Sequence, residues 1–277
     1  MTAATAADAA QDAAPATAPG ATTDTASGAT AAGAAAGTDD RAKRHIRSFA
    51  MRRGHVTAAQ RRAYAELVPG LCVPYANAVL DAPAVFGRTA PLVLEIGFGM
   101  GETTARIAAQ CPGIDFLGVE VFVAGIGALA RRVREAGLRN IRIIEHDAVE
   151  VVRDMIPPSS LHGVHIFFPD PWPKARHHKR RLVAPHFIGA LAERLQAGGT
   201  LHCATDWENY AEQMLAVLSA EPLLRNLHPG YAAGACSPIC ERPPTKFHAR
   251  GERLGHGVWD LVFQKRRCDA AVDLEQA

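Results

Sequence analysis

Leu92-Val-Leu-Glu95-Ile-Gly97-Phe-Gly99-Met-Gly101-Glu102 decides how this 277-residue chain is read. A short apolar run ends on an acid, passes through three alternating glycines and enters a helical pattern that Thr103 and Thr104 help to open. Glycines at such a turn let the backbone bend sharply and approach a ligand closely, which makes Gly97 and Gly99 candidate binding positions. A dinucleotide fingerprint, G-x-G-x-x-G, requires a last glycine where Glu102 stands. A carboxylate there repels a pyrophosphate, which disfavours a nicotinamide-dependent dehydrogenase. A ligand with a cationic amino-acid end and a sulfonium, such as S-adenosylmethionine, fits better, with Glu95 serving the cation.

Outward from this turn, apolar runs alternate with helical patterns. The runs are Leu92–Ile96, Asp115–Val119, Ile141–Glu145, Gly163–Phe168, Thr200–Ala204 and Gly257–Phe263. Between them, Glu102–Gln110, Ala124–Ala136, Pro185–Gln196 and Tyr210–Leu218 carry apolar residues at three-to-four spacing. The pattern predicts an α/β, Rossmann-like, doubly wound and mostly parallel sheet, closed by an antiparallel C-terminal edge strand. Its ligand crevice lies at the carboxyl ends of the strands. Acids stand at those ends in register: Glu95, then Glu120 twenty-five residues on, Asp147 and Asp170. Glu120 suits ribose hydroxyls, and Asp147 an adenine amino group.

Phe167-Phe-Pro-Asp170-Pro-Trp172-Pro-Lys174 follows the fourth run. Prolines on both sides of Asp170 fix where its carboxylate points, and Trp172 offers a face for stacking a base. Lys174-Ala-Arg176-His177-His178-Lys179-Arg180-Arg181 then supplies cations beside the crevice, placed to hold nucleic-acid phosphates. Asp170-Pro-Trp172 also resembles the (Asp/Asn)-Pro-Pro-aromatic loop of exocyclic-amine methyltransferases, but Pro173 follows the aromatic residue rather than preceding it.

Residues 1–40 are a low-complexity Ala/Thr/Gly/Asp segment with little to bury, and a disordered tail is expected there. They hold five acids and no Lys or Arg, so the net charge of +2 conceals about +7 on residues 41–277. Residues 41–90 read as a basic arm and helix. Arg41, Lys43, Arg44, Arg47, Arg52 and Arg53 fall within thirteen residues, and Thr57-Ala-Ala-Gln60 is a capping-box pattern ahead of a helix that Pro69-Gly70 stop. The catalytic domain is expected over 91–267, with a tail at 268–277. Six scattered cysteines form no disulfide pattern, and neither Cys236/Cys240 nor the paired histidines have further ligands at metal spacing, so no metal is expected. No apolar stretch approaches the ~20 residues of a membrane span, and a secretory n-region is missing. The expectation is a cytoplasmic protein with no membrane association and no obligatory protein partner.

From about Phe49 to Lys265 the chain closely resembles the bacterial tRNA (guanine-N7)-methyltransferases. The matching segments are Ser48-Phe49 with Arg52-Arg53-Gly54, Glu95–Gly101, Gly118-Val-Glu120, Asp147–Glu150, Phe167–Lys174 with Arg176–Arg181, Ala204-Thr-Asp206, Thr245–Phe247 and Gly257-Val-Trp259-Asp260. The resemblance implies a class I methyltransferase fold with Glu95, Glu120, Asp147 and Asp170 around S-adenosylmethionine. It implies that Lys174, Asp206, Thr245, Lys246, Phe247 and His248 face the substrate, that Arg176, His177, His178, Lys179, Arg180 and Arg181 contact RNA, and that Asp170 is central to activity. The implied product is N7-methylguanosine at a variable-loop position (46) of tRNA. Two positions depart from the pattern: His248 stands where Glu is usual, and Ala175 where Lys is usual. A neutral imidazole cannot reproduce the paired acceptors of a carboxylate.

Overall fold

The computed structural model describes residues 47–49, 57–234, 237–243 and 257–267. Seven strands form one sheet: β1 (Leu92–Ile96), β2 (Asp115–Glu120), β3 (Ile141–Glu145), β4 (Leu161–Phe167), β5 (Leu195–Thr205), β6 (Leu224–Asn226) and β7 (Trp259–Lys265). They lie in the order β3-β2-β1-β4-β5-β7-β6. β1 to β5 are parallel, and their mostly apolar, mostly buried runs suit strands covered on both faces. β7 runs antiparallel beside β5, with Leu201 opposite Phe263 and Ala204 opposite Asp260. The antiparallel C-terminal strand is therefore present, but the short β6 covers its outer side and takes the edge.

Seven α-helices are described: α1 (Ala58–Leu67), α2 (Ala82–Phe86), α3 (Glu102–Gln110), α4 (Val123–Glu135), α5 (Ala148–Asp154), α6 (Pro185–Arg194) and α7 (Glu208–Ala220). Alternate residues of each strand feed two cores. On one face Leu94, Ile96, Val164 and Leu201 pack with Val151, Phe187, Leu191 and Met214, from α5, α6 and α7. On the other, Val93, Phe116 and Ile143 pack with Ile107, Ile126 and Leu129, from α3 and α4, and with Val68 below α1.

Chain order reverses between β1 and β4, so their carboxyl ends open the crevice expected of a doubly wound sheet. Gly97 and Gly99 turn the chain there at φ 76° and 56°. Gly125 in α4 is required for a second reason: a Cβ there would fall 2.0 Å from the carbonyl oxygen of Gly99.

Candidate active site

A cavity of about 350 Å³ occupies this crevice, within the range of small-molecule sites. Its floor is the β1 turn, Glu95 to Thr103, and its walls come from Val119–Phe122 after β2, His146 and Ala148 after β3, and Phe167–Asp170 after β4. Ser48, Phe49 and Leu182 complete the lining.

Glu95 is 2% exposed, within a strand whose five residues are all buried. Its Oε2 atom has no hydrogen-bond partner among the described residues. Burial raises its pKa to about 7, Thr104 tempering the shift and the nearby Glu120 charge adding to it. Thr104 influences Glu95 by proximity, but the geometry leaves its hydroxyl without a formed hydrogen bond as well. A buried carboxyl with an unsatisfied oxygen on the cavity floor is the complement of an ammonium group. Glu120, by contrast, is firmly held. Its Oε2 accepts from the Gly99 N–H at 2.8 Å, and its Oε1 from Val121 and Phe122 at 2.7 and 3.0 Å. These bonds tie the end of β2 to the glycine turn of β1. Glu102 opens α3 and lines the cavity, with Arg132 3.8 Å away.

Asp147 is the N-cap of α5, accepting from Val149 N–H at 2.9 Å, and it does not line the cavity. Its neighbours His146 and Ala148 do. His146 is oriented on two sides. Its Nε2 lies 2.6 Å from Glu150, and its ring stacks on Tyr75 at 3.6 Å with an 11° tilt, while Tyr75 bonds Asp154. Nothing in the sequence singles out His146. A histidine after a strand is unremarkable until Tyr75, distant in the chain, is brought beneath it.

Asp170 lines the cavity between two residues with left-handed backbone, Phe168 at φ 51° and Trp172 at φ 45°. Such conformations cost about 1–3 kcal/mol each in non-glycine residues and persist only where their surroundings enforce them. One enforcing contact is Phe168 N–H to Ala204 O, 2.7 Å. Trp172 does not present both ring faces to solvent. The guanidinium of Arg180 covers one at 3.7 Å, His177 meets the ring edge-on, and the indole N–H donates to Ser48 O at 2.9 Å. Arg180 also donates to the Arg47 and Phe49 carbonyls at 3.1 Å each.

The basic run forms a 3-10 helix, Ala175–Arg180, with Lys174 as its N-cap. Lys174, Arg176 and Lys179 are exposed, while His177, His178 and Arg180 are partly covered. Desolvation, followed by the surrounding cations led by Arg176, lowers the His177 pKa. Arg181 corrects the expectation of an RNA contact: it is 3% exposed. Its donors go to Pro171 O, to the backbone and side chain of Asn209 and to Gln213, and its guanidinium lies over Tyr210. Asp206 lies just past the carboxyl end of β5, outside the cavity lining. Thr245, Lys246, Phe247 and His248 lie outside the described residues. Among the described residues, no cluster of three His, Cys, Asp or Glu side chains could hold a metal ion. No described helix is long and apolar enough to cross a membrane.

This sheet order, with a glycine turn, a buried acid and a held acid at successive strand ends, defines a class I S-adenosylmethionine-dependent methyltransferase. Residues 89–261 match the family model described as "Putative methyltransferase". The tRNA (guanine-N(7)-)-methyltransferase of Bordetella pertussis is 62% identical over 221 residues, 80% of this chain and 85% of that protein. The protein of the same name from Burkholderia vietnamiensis is 63% identical over 223 residues, 80% and 86% of the two chains. A solved structure of the 16S rRNA methyltransferase KamB superposes with a TM-score of 0.50 at 15% identity, covering 68% of this chain and 95% of that one, which supports the fold. The chain belongs to the tRNA (guanine-N7)-methyltransferase family.

Proposed function

We propose that the protein transfers the methyl group of S-adenosylmethionine to N7 of a guanine in tRNA, at the variable-loop guanosine (position 46). The observation that carries this reading is the placement of Asp170 on a strained turn in the wall of a cavity whose floor holds a buried carboxyl with an unsatisfied oxygen, with exposed cations directly after it. The names of relatives at 60–63% identity supply the acceptor.

S-adenosylmethionine, when bound, supplies an electrophilic methyl group on a sulfonium. Glu95 takes its ammonium end and is ionised by that contact. Glu120, its carboxylate already aimed by backbone N–H groups, accepts from the ribose hydroxyls. The turn His146–Ala148 receives the adenine, with Asp147 at its centre capping α5. Guanine N7 has a lone pair and no proton to lose, so the protein needs no general base and its main task is alignment. Asp170 orients the guanine through its N–H edge and stabilises the positive charge that develops on the methylated base. Lys174, Arg176, His177, His178 and Lys179 hold phosphates, and Asp206 with Thr245–His248 completes the acceptor side. We divide the chain into a tail (1–40), a basic arm and helix (41–90), the methyltransferase domain (91–267) and a second tail (268–277). The arm adds phosphate contacts, and a tRNA substrate makes the cytoplasm the working compartment.

The test is incubation with S-adenosylmethionine and an unmodified tRNA transcript, then borohydride and aniline, which cut where guanine carries an N7 methyl. A single new cut in the variable loop is expected. Label incorporated without a cut would move the reaction to an exocyclic amine, and no label would refute it.

A further inference from the structure

Behind the Asp170 turn lies a buried ion pair that the proposed chemistry does not use. Arg242 is 1% exposed and meets Asp260 with two prongs, Nε to Oδ1 at 2.9 Å and Nη2 to Oδ2 at 2.6 Å. Asp260 also contacts His202 Nε2 at 2.7 Å. The third guanidinium nitrogen, Nη1, is buried and has no partner among the described residues. Burying a charge pair with a donor left unsatisfied is a poor way to stabilise a fold, since apolar residues of similar volume do as well or better. What the pair does achieve is position. Asp260 stands opposite Ala204 across β5 and β7, and the Ala204 carbonyl receives the Phe168 N–H. The Arg242 guanidinium lies 5.2 Å from the centre of the Phe168 ring and 5.8 Å from that of Phe167. One unit, Asp260–Arg242, thus grips both the backbone anchor and the ring of the strained residue two positions before Asp170.

We propose that Arg242 is a positioning residue of methyl transfer: fixed by Asp260, it backs the Phe168 ring and holds the 168–170 turn in the conformation that aims Asp170. This rests on the reading of Asp170 given above. Arg242 touches neither the cavity nor the reacting atoms; it acts through Phe168.

The experiment uses the full chain with S-adenosylmethionine and tRNA transcript, measuring kcat, both KM values, S-adenosylmethionine affinity by calorimetry and the denaturant midpoint. Three variants are compared: Arg242→Lys, which keeps charge and loses the flat fork; Arg242→Met with Asp260→Asn, which removes both charges together and leaves His202 a partner; and Phe168→Leu, which leaves the ion pair intact. In the paired variant the midpoint is expected to return close to the unaltered value, while kcat stays down at least about tenfold, as misplacement at a reacting centre costs. S-adenosylmethionine affinity stays within about twofold, because Glu95 and Glu120 are untouched. Phe168→Leu should lower kcat similarly, and combining it with Arg242→Lys should add little further. Recovery of kcat together with stability in the paired variant would overturn the proposal, as would full kcat in Arg242→Lys or additive losses. Failure of the unaltered protein to methylate guanine N7 would instead sink the reading beneath it.

Discussion

Arg180 lies over the ring of Trp172, its guanidinium carbon 3.7 Å from the ring centre, and from there its nitrogens reach the carbonyls of Arg47 and Phe49. Since Ser48 and Phe49 line the cavity, a residue expected to meet phosphate fastens Arg47 and Phe49 at the cavity's edge. Removing the stack forfeits about 0.5–2 kcal/mol. Arg180→Ala should therefore raise the KM for S-adenosylmethionine about 2- to 30-fold, and protease should cut near residue 49 faster. A KM change confined to tRNA would show that the arm is held some other way.

Glu95 makes cosubstrate binding depend on pH in a definite direction. With its pKa raised to about 7 by burial, the free protein keeps this carboxyl protonated in mild acid, and an ammonium ligand must expel the proton. Affinity should rise about tenfold per unit from pH 5 to 7 and level off above, with proton release visible by calorimetry in buffers of different ionisation enthalpy. In the ligand-free protein the sign is reversed. The folded state holds the proton more tightly than the unfolded state, so stability falls as pH climbs from 4.5 to about 7, by about 3 kcal/mol in all. Glu95→Gln should abolish both trends and raise Tm at pH 8 while weakening binding.

His146 is held by Glu150 and Tyr75 at the cavity wall, where the adenine is assigned. Replacing it with alanine should raise the KM for S-adenosylmethionine about tenfold and leave kcat within about twofold, the pattern of lost uniform binding. A fall in kcat at unchanged KM would place the histidine nearer the chemistry.

Asp170→Asn should lower kcat about 10²- to 10³-fold, the usual range for removing one group aimed at developing charge. Calorimetric affinity for S-adenosylmethionine should change little. Near-normal turnover would remove Asp170 from its assigned role.

Arg181 and Arg176 should separate cleanly. Arg181→Ala strips a buried guanidinium from Asn209, Gln213 and Pro171 and should cost about 2–3 kcal/mol in a denaturant titration. Arg176→Ala should leave stability alone and reduce the salt dependence of tRNA binding, by about 0.7 in the log–log slope per single-stranded phosphate lost.

These two arginines also show where sequence reading stops. The parallel strands are legible because strands covered on both faces are rich in apolar residues, and the glycine turn marks the crevice between β1 and β4. Among the α-helices and strands, α2, α5 and β6, of five, seven and three residues, are too short to show a period in the sequence. Within Arg176–Arg181 the residue types are nearly uniform, and only the packing of α7 decides that Arg181 turns inward. Asp147 was readable as an acid at a strand end, but a helix cap and a ligand contact present the same residue at the same place. His146 and Arg242 depend on partners far off in the chain, Tyr75 and Asp260, and carry no local mark.

Gly125 lies so close to Gly99 that a single added carbon would strike its carbonyl oxygen. The same Gly99 supplies the N–H that holds Glu120, so the seam has no slack for a redesign meant to accept bulkier sulfonium donors. Extra room for a longer alkyl group has to be carved from side-chain walls such as Leu182 or Phe122, while the two glycines stay as they are.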